Sequence, residues 1–343
     1  MRRMLNTLFV TTDGAFLKKA GESIAVSVNK EIKLRLPIHN LGGIVCFGRV
    51  LCTPGLLGLC AKRGVSVSFL STNGRYLAKV QGPTSGNVLL RREQYRQADA
   101  VSSCVPIARS TVLAKIANCR TSLQRTLRDH GEKVDSPRLE KAINHLDVYL
   151  QDVKNERDIE RIRGFEGYAS RCYFEVFNDM ITVQKEAFIL EGRSRRPPQD
   201  NVNALMSFIY TLVLHDVTSA LETVGLDPQV GFFHRLRPGR PSLALDLMEE
   251  FRPVLADRLV LSLINLKQVD ASGFLKEESG GIKMDDGTRK VVLSAYQKRK
   301  QDEITHPFLE EKIPFGMAFF AQALLMARFL RGDLDGYPPF FWK

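Results

Sequence analysis

GPTSGNVLLRREQYRQAD, residues 82–99, is where the chain changes character. Its first five residues, Gly82-Pro83-Thr84-Ser85-Gly86, are turn and loop formers and make the best linker in the sequence. Before them, residues 4–81 run in short segments rich in Val, Ile, Leu and Phe: LNTLFVTT, SIAVSV, LRLPIHNLGGIVCFG, VSVSFLS and RYLAKVQG. Asp13-Gly14, Gly42-Gly43 and Asn73-Gly74 punctuate these strands as turns. One helix interrupts them, opened by Pro54 and closed by Gly64, with Lys62 and Arg63 in the last turn where they suit the dipole.

After the linker the apolar spacing takes the helical period. Arg91, Arg92 and Arg96 lie on the polar side of the first helix. Further helices are predicted over 106–130, 136–155, 158–191, 201–224, 242–251, 253–266 and 314–332. Residues 267–295 break the run. There FLKEESGGIKMDDGTRKVVL, with Gly280-Gly281 and Asp286-Gly287, reads as a flexible hairpin or a surface loop. The final GYPPFFWK docks on the body by default, with an interaction tail as the other reading. The expected fold class is α+β: a basic β-rich domain over 1–85, then a larger all-α-helical domain over 86–343.

The 343 residues suffice for two cores. The net charge is +11, and it is unevenly placed: residues 1–85 hold 12 Lys/Arg against 3 Asp/Glu. A polyanion partner is the natural reading of such a domain, and a solubility charge the plainer one. Six cysteines without a Cys-x-x-Cys pair read as buried reduced thiols, which suits a reducing cytoplasm. Asp13 and Lys18 interrupt the apolar run behind Arg2 and Arg3, so no signal peptide is expected. No run of 18 apolar residues predicts a membrane span.

Chemistry concentrates in HRLRPGRPSLALDLMEEFRP, residues 234–253. Ser242 is an N-cap candidate, and Leu243, Leu247 and Phe251 form an apolar stripe. Asp246 and Glu249 stand one turn apart. A histidine near two carboxylates, among arginines, suggests a divalent metal and a phosphate; a capped core helix with solvated acids is the bland alternative. Upstream, Glu166 falls in the inward stripe Ile162, Ala169, Tyr173, Val176 and Met180. A buried carboxylate needs a metal or an ion pair, for which Arg163 and Arg171 are candidates. Its neighbours Gly164 and Gly167 are small enough for another backbone or a nucleic-acid strand to approach. Asp200 or Asn201 can cap the next helix, where Asn203, Ser207 and Tyr210 make a polar row able to bind a ligand or orient metal ligands. His39, His130, His145, His215 and His306 read as structural or solvated.

RGFEGYASRCYF, RRPPQDNVNALMSFIYTL, GLDPQVGFFH and GRPSLALDLMEEFRP, in that order, resemble the universal CRISPR-associated spacer-acquisition integrase, the first-numbered Cas protein; the second segment is similar to its compact type I-C branch. The resemblance covers essentially the whole chain. It implies a metal-dependent DNA endonuclease and integrase, using Mg²⁺ or Mn²⁺, that joins a DNA 3′-hydroxyl to a phosphodiester. It implies Glu166, His234 and Glu249 as metal ligands, with Asp246 adjacent and sharing the catalytic role. The family's aspartate is Glu249 here, which leaves the division of labour between Asp246 and Glu249 open. Arg240 and Arg252 become phosphate contacts, with Asn203 orienting a ligand or DNA and Arg91, Arg92 and Arg96 following the backbone. Implied partners are double-stranded and branched DNA, a second copy of the chain, and a small ferredoxin-like protein, the second-numbered Cas protein. The competing functional classes are a non-catalytic DNA-binding scaffold and a hydrolase of small nucleotides.

Overall fold

The computed structural model describes residues 7–71, 76–80, 88–194, 197–278 and 280–342. The expected linker at 82–86 and the Asn73-Gly74 turn lie outside them. The β-rich part carries β1 (Thr7–Val10), β2 (Phe16–Ala20), β3 (Ser23–Val28), β4 (Glu31–Pro37), β5 (Gly43–Phe47), β6 (Leu51–Cys52), α1 (Pro54–Arg63), β7 (Ser66–Leu70) and β8 (Tyr76–Val80). The hydroxyl of Thr53 accepts from Leu56 N, and Gly64 takes φ 67°, so α1 starts and stops where its Pro and Gly predict.

Two four-stranded sheets result, ordered β1-β5-β7-β8 and β4-β3-β2-β6. β1, β5 and β7 are parallel, with Thr7 opposite Gly43 and Gly43 opposite Ser66. β5 and β7 are parallel because α1 carries the chain across between them, as a parallel connection requires. An apolar core that includes Leu17, Ile24, Ile44, Leu56 and Val67 lies within this part. Its three acids each have a basic partner: Asp13 with Arg49, Glu22 with Arg63, and Glu31 with Lys33.

The helical part carries α2 (Val88–Asp99), α3 (Val101–His130), α4 (Ser136–Lys154), α5 (Ile159–Glu175), α6 (Asn201–Val224), α7 (Ser242–Glu249), α8 (Arg258–Asn265), α9 (Asp286–Gln301) and α10 (Phe315–Leu330). Two short hairpins, β9–β10 (Phe274–Lys276, Ile282–Met284) and β11–β12 (Glu303–Thr305, Lys312–Pro314), complete it. Val45, Phe47 and Leu70 leave the sheets' own core and join the helical one, where the Phe47 ring lies 6.0 Å from that of Phe208. Lys79 pairs with Glu222, and Ser68 Oγ lies 3.2 Å from His215 Nδ1. Sheets and helices are therefore packed together.

Two expectations need correction. The helix predicted over 158–191 ends at Glu175. Asn178 instead donates to Leu190 O at 3.0 Å and accepts from Leu190 N at 2.8 Å, a side-chain-to-backbone pairing that competes with helix. The hairpin expected within 267–295 ends at Met284. Asp286-Gly287 opens α9 rather than turning, because Asp285 accepts from Thr288 N at 2.7 Å as N-cap. α6 has the length and hydropathy of a membrane span, yet it is a packed core helix with Val202, Leu205, Ile209 and Val213 fully buried, in line with the expectation that no segment spans a membrane. The six cysteines are free; Cys46, Cys60, Cys104 and Cys119 are buried as expected, while Cys52 and Cys172 are partly exposed.

The C-terminal tail docks. Its Trp342 N donates to Asn118 Oδ1 at 2.8 Å, and Phe340 N donates to Glu250 Oε2 at 2.8 Å. The buried Glu250 carboxylate also accepts from Tyr337 OH at 2.6 Å and Gln322 Nε2 at 2.8 Å. Burial outweighs these bonds and pushes its pKa up to about 7. The folded state then holds a proton that the unfolded chain has released, between roughly pH 4.5 and 7. This contribution is fully present below that window and lost as pH rises through 7. Glu250→Gln is expected to be more stable, relative to the unaltered protein, at pH 8 than at pH 5 by about 3 kcal/mol. Urea unfolding at the two pH values measures this difference, and a pH-independent difference would contradict it.

Candidate active site

Glu166 lies at the middle of α5, and Lys115 projects from the inward face of α3. Lys115 Nζ contacts Glu166 Oε1 and lies 2.7 Å from Glu249 Oε2, bridging two carboxylates from different helices. Neither Arg163 nor Arg171 is the partner of Glu166; Arg163 donates to Phe233 O at 2.9 and 2.6 Å. Ser170 Oγ adds a bond to Glu166 Oε1 at 2.8 Å.

The loop from α6 to α7 delivers the histidine. Gln94, buried on α2, anchors this loop by donating to Asp227 O and Val230 O at 2.8 Å and accepting from Asp227 N at 2.9 Å. Gly231 lets the loop lie against α7, since a Cβ there would fall 2.6 Å from both Asp246 Oδ2 and the Ser242 carbonyl carbon. Ser242 is not the N-cap. Its Oγ donates to Arg235 O at 3.3 Å, while Pro228 O accepts from Leu243 N and Ala244 N and takes the capping role.

Asp246 and Glu249 are buried but have different surroundings. Asp246 Oδ2 accepts from Phe232 N at 2.7 Å and Phe233 N at 3.0 Å; Oδ1 accepts from His234 N at 2.8 Å and stands 2.7 Å from His234 Nδ1. Its carboxylate is spent on shaping the loop and turning the imidazole. His234 Nε2 then points to Glu249 Oε1 at 3.6 Å, and Arg252 Nη1 reaches the same oxygen at 2.9 Å. Burial would raise the pKa of Glu249, but the charges of Arg252 and Lys115 outweigh it and hold the carboxyl at about 2.

Beyond Glu249 the helix widens into a π-helical turn, Arg252–Asp257, at Pro253, which lacks an N–H to continue the α-helix. This turn sends both Arg252 and Asp257 inward. Tyr210 OH donates to Asp257 Oδ1 at 2.6 Å, and the Arg252 guanidinium lies 5.0 Å from the Tyr210 ring centre. Burial raises Asp257 to about 6. A cavity of about 550 Å³ opens beside these groups, lined among others by Lys115, Glu166, Arg193, Tyr210, Arg252 and Asp257.

Among the described residues, no three His, Cys, Asp or Glu side chains are closed to metal-ligating distance. The chemistry of the donors nonetheless fits a hard divalent ion. Glu166 and Glu249 already share one cation, the Lys115 ammonium, and the imidazole Nε2 faces one of those carboxylates.

The expected DNA contacts separate. Arg252 belongs to the buried centre. Asn203 is completely buried, with Oδ1 accepting from Arg193 Nη1 and Ser194 N, and Nδ2 donating to Gly192 O and Asp200 Oδ2. Its polar groups are bonded within the protein, where they hold Arg193 at the cavity. Arg240 lies before the start of α7 and is not among the residues that line the cavity. Arg91 donates to Gly225 O at 3.5 Å, Arg96 pairs with Glu93 at 3.2 Å, and Arg92 is exposed.

Lys115 escaped the sequence reading. Ala108, Thr111, Lys115, Cys119 and Ser122 share one buried face of α3 at spacings of three and four, the same signal that singled out Glu166. Arg193 carries no such signal, because it lies outside any helix beside the Arg195-Arg196-Pro197-Pro198 run.

The family model "CRISPR associated protein Cas1" matches residues 8–298. A CRISPR-associated endonuclease Cas1 from Chlorobaculum tepidum is 53% identical over 343 residues, covering 100% of both chains. A casposase bound to integration product superimposes with TM-score 0.83 at 21% identity, covering 97% of this chain and 93% of that one. A chain of a Cas6-RT-Cas1–Cas2 complex superimposes with TM-score 0.82 at 21% identity, covering 99% of this chain and 36% of the other. The sequence and the fold agree: this chain belongs to the CRISPR-associated Cas1 endonuclease family.

Proposed function

We propose that the chain is a metal-dependent DNA endonuclease and integrase of CRISPR adaptation, with Glu166, His234 and Glu249 holding one Mg²⁺ or Mn²⁺. The observation that carries this reading is the convergence of Glu166 and Glu249, from α5 and α7, on one cation beside an imidazole. A divalent ion bound there stabilises charge on a phosphoryl oxygen and makes a hydroxyl or water nucleophilic near neutral pH. Attack by a DNA 3′-hydroxyl gives strand transfer, and attack by water gives cleavage. Asp246 fixes the imidazole through Nδ1 and leaves Nε2 as the ligand atom, the arrangement usual for metal-binding histidines. In this reading Glu249 is the direct ligand, and Asp246 positions His234. Arg252 neutralises phosphate charge at the cavity wall.

The DNA strand enters over α5. A Cβ at Gly164 or Gly167 would meet nothing within 4 Å, so these glycines serve no packing inside the chain, although each weakens the helix by about 1 kcal/mol. They leave room for a backbone next to Glu166. The basic β-rich part, Arg240 and the α2 arginines follow phosphates further out. A homodimer forms through the exposed edge strand β4, where Ile32 and Leu34 are solvent-facing. A Cas2-like subunit completes the assembly, by analogy with the solved complex, in the prokaryotic cytoplasm.

The test compares cleavage of branched DNA at matched ionic strength with EDTA and with added Mn²⁺. Chelation is expected to abolish cleavage and Mn²⁺ to restore it. DNA binding without metal-supported cleavage would favour the non-catalytic scaffold instead.

A further inference from the structure

Four charged side chains meet at the edge of the cavity, two of each sign. Lys115 bridges Glu166 and Glu249, and Arg252 pairs with Glu249. Asp246 is committed to His234 and the loop backbone. The protein's own Glu166, Glu249, Lys115 and Arg252 therefore make an electroneutral centre. A dication entering it meets an ammonium already seated between two of its intended ligands, in buried surroundings where like charges repel strongly.

We propose that Lys115 is a resident counter-cation that a divalent metal must displace from the Glu166–Glu249 pair, so that metal and DNA phosphodiester load together. This rests on the reading of Glu166, His234 and Glu249 as the ligand set. An arriving phosphodiester brings a negative charge and offers the ammonium a new acceptor. Lys115 lines the cavity, and its four-carbon stem can swing the ammonium off the carboxylates. Metal alone gains little, because the carboxylates are already compensated. By linkage, whatever DNA adds to metal affinity, metal adds to DNA affinity.

Mn²⁺ titrated into the DNA-free protein, followed by the electron paramagnetic resonance signal of free Mn²⁺, tests this. Lys115→Met is expected to bind Mn²⁺ at least about tenfold more tightly than the unaltered protein, and Lys115→Arg no more tightly. Adding uncleaved branched DNA is expected to tighten Mn²⁺ binding about tenfold in the unaltered protein and to change it little in Lys115→Met. Equal or weaker Mn²⁺ binding by a folded Lys115→Met protein overturns the proposal. If that variant does not fold, the unaltered protein still decides: Mn²⁺ affinity that is indifferent to DNA overturns it. Glu166→Ala separates the two claims, because undiminished Mn²⁺ binding there sinks the ligand assignment itself.

Discussion

Glu166→Ala and His234→Ala proteins are expected to lose Mn²⁺-supported joining of spacer ends to a repeat by more than about hundredfold. The magnitude follows from ligand loss, since disturbing only the groups behind a metal ligand already costs about 10–100-fold. Glu249 is expected to differ from Glu166 in stability. Glu249 is 2% exposed and faces both Lys115 and Arg252. Truncating it leaves two buried cations short of a partner, a change that typically destabilises by about 3–5 kcal/mol. Glu166 is 22% exposed, and Lys115 keeps Glu249 when Glu166 is removed. Glu166→Ala should therefore fold nearly as well as the unaltered protein while losing activity. Joining assays paired with urea unfolding separate the two effects. An active Glu166→Ala protein would remove Glu166 from the site.

Asp246 carries the second large effect. Its two oxygens accept three backbone N–H groups from Phe232, Phe233 and His234 and face His234 Nδ1. Asp246→Ala strands those donors in a buried setting and is expected to cost about 3–5 kcal/mol of stability. Asp246→Asn retains an acceptor for the backbone but loses the charge that holds the Nδ1 proton, so the imidazole no longer reliably presents Nε2. That variant is expected to fold and to bind Mn²⁺ about 10–100-fold more weakly. A Mn²⁺ titration checks it: affinity equal to that of the unaltered protein would mean that Asp246 shapes only the loop. Glu249 differs: it faces Lys115 and Arg252, whereas Asp246 faces the 232–234 backbone and the imidazole. Two carboxylates three residues apart look alike in sequence, and only the approach of the 232–234 backbone distinguishes them.

The parts legible in the sequence share one property: their cause is local. The caps of α1 are Thr53-Pro54 and Gly64, and they act within one turn of themselves. The His234–Asp246–Glu249 cluster lies within 16 residues, so a single loop and helix assemble it. Glu166 was legible because a carboxylate in an inward stripe is an anomaly wherever its partner lies. The parts that escaped depend on groups distant in the chain. Glu166 was offered two arginines from its own helix, yet its partner is Lys115, 51 residues away on α3. Ser242 yielded its capping role to Pro228, which reaches it because Gly231 permits close approach. Asn203, read as a ligand-facing polar residue, is consumed by Arg193 and the backbone around it. The parallel pairing of β1, β5 and β7 depends on a crossover that alternation within each strand does not encode.

The most direct measurement is anomalous diffraction at the manganese edge from crystals of the full chain grown with Mn²⁺ and branched DNA. The expected result is one anomalous peak at about 2.0–2.3 Å from a Glu166 oxygen, His234 Nε2 and a Glu249 oxygen, with the Lys115 ammonium moved off the carboxylate pair onto a phosphate. A manganese bound elsewhere, or none while Lys115 still bridges Glu166 and Glu249 beside ordered DNA, would contradict it.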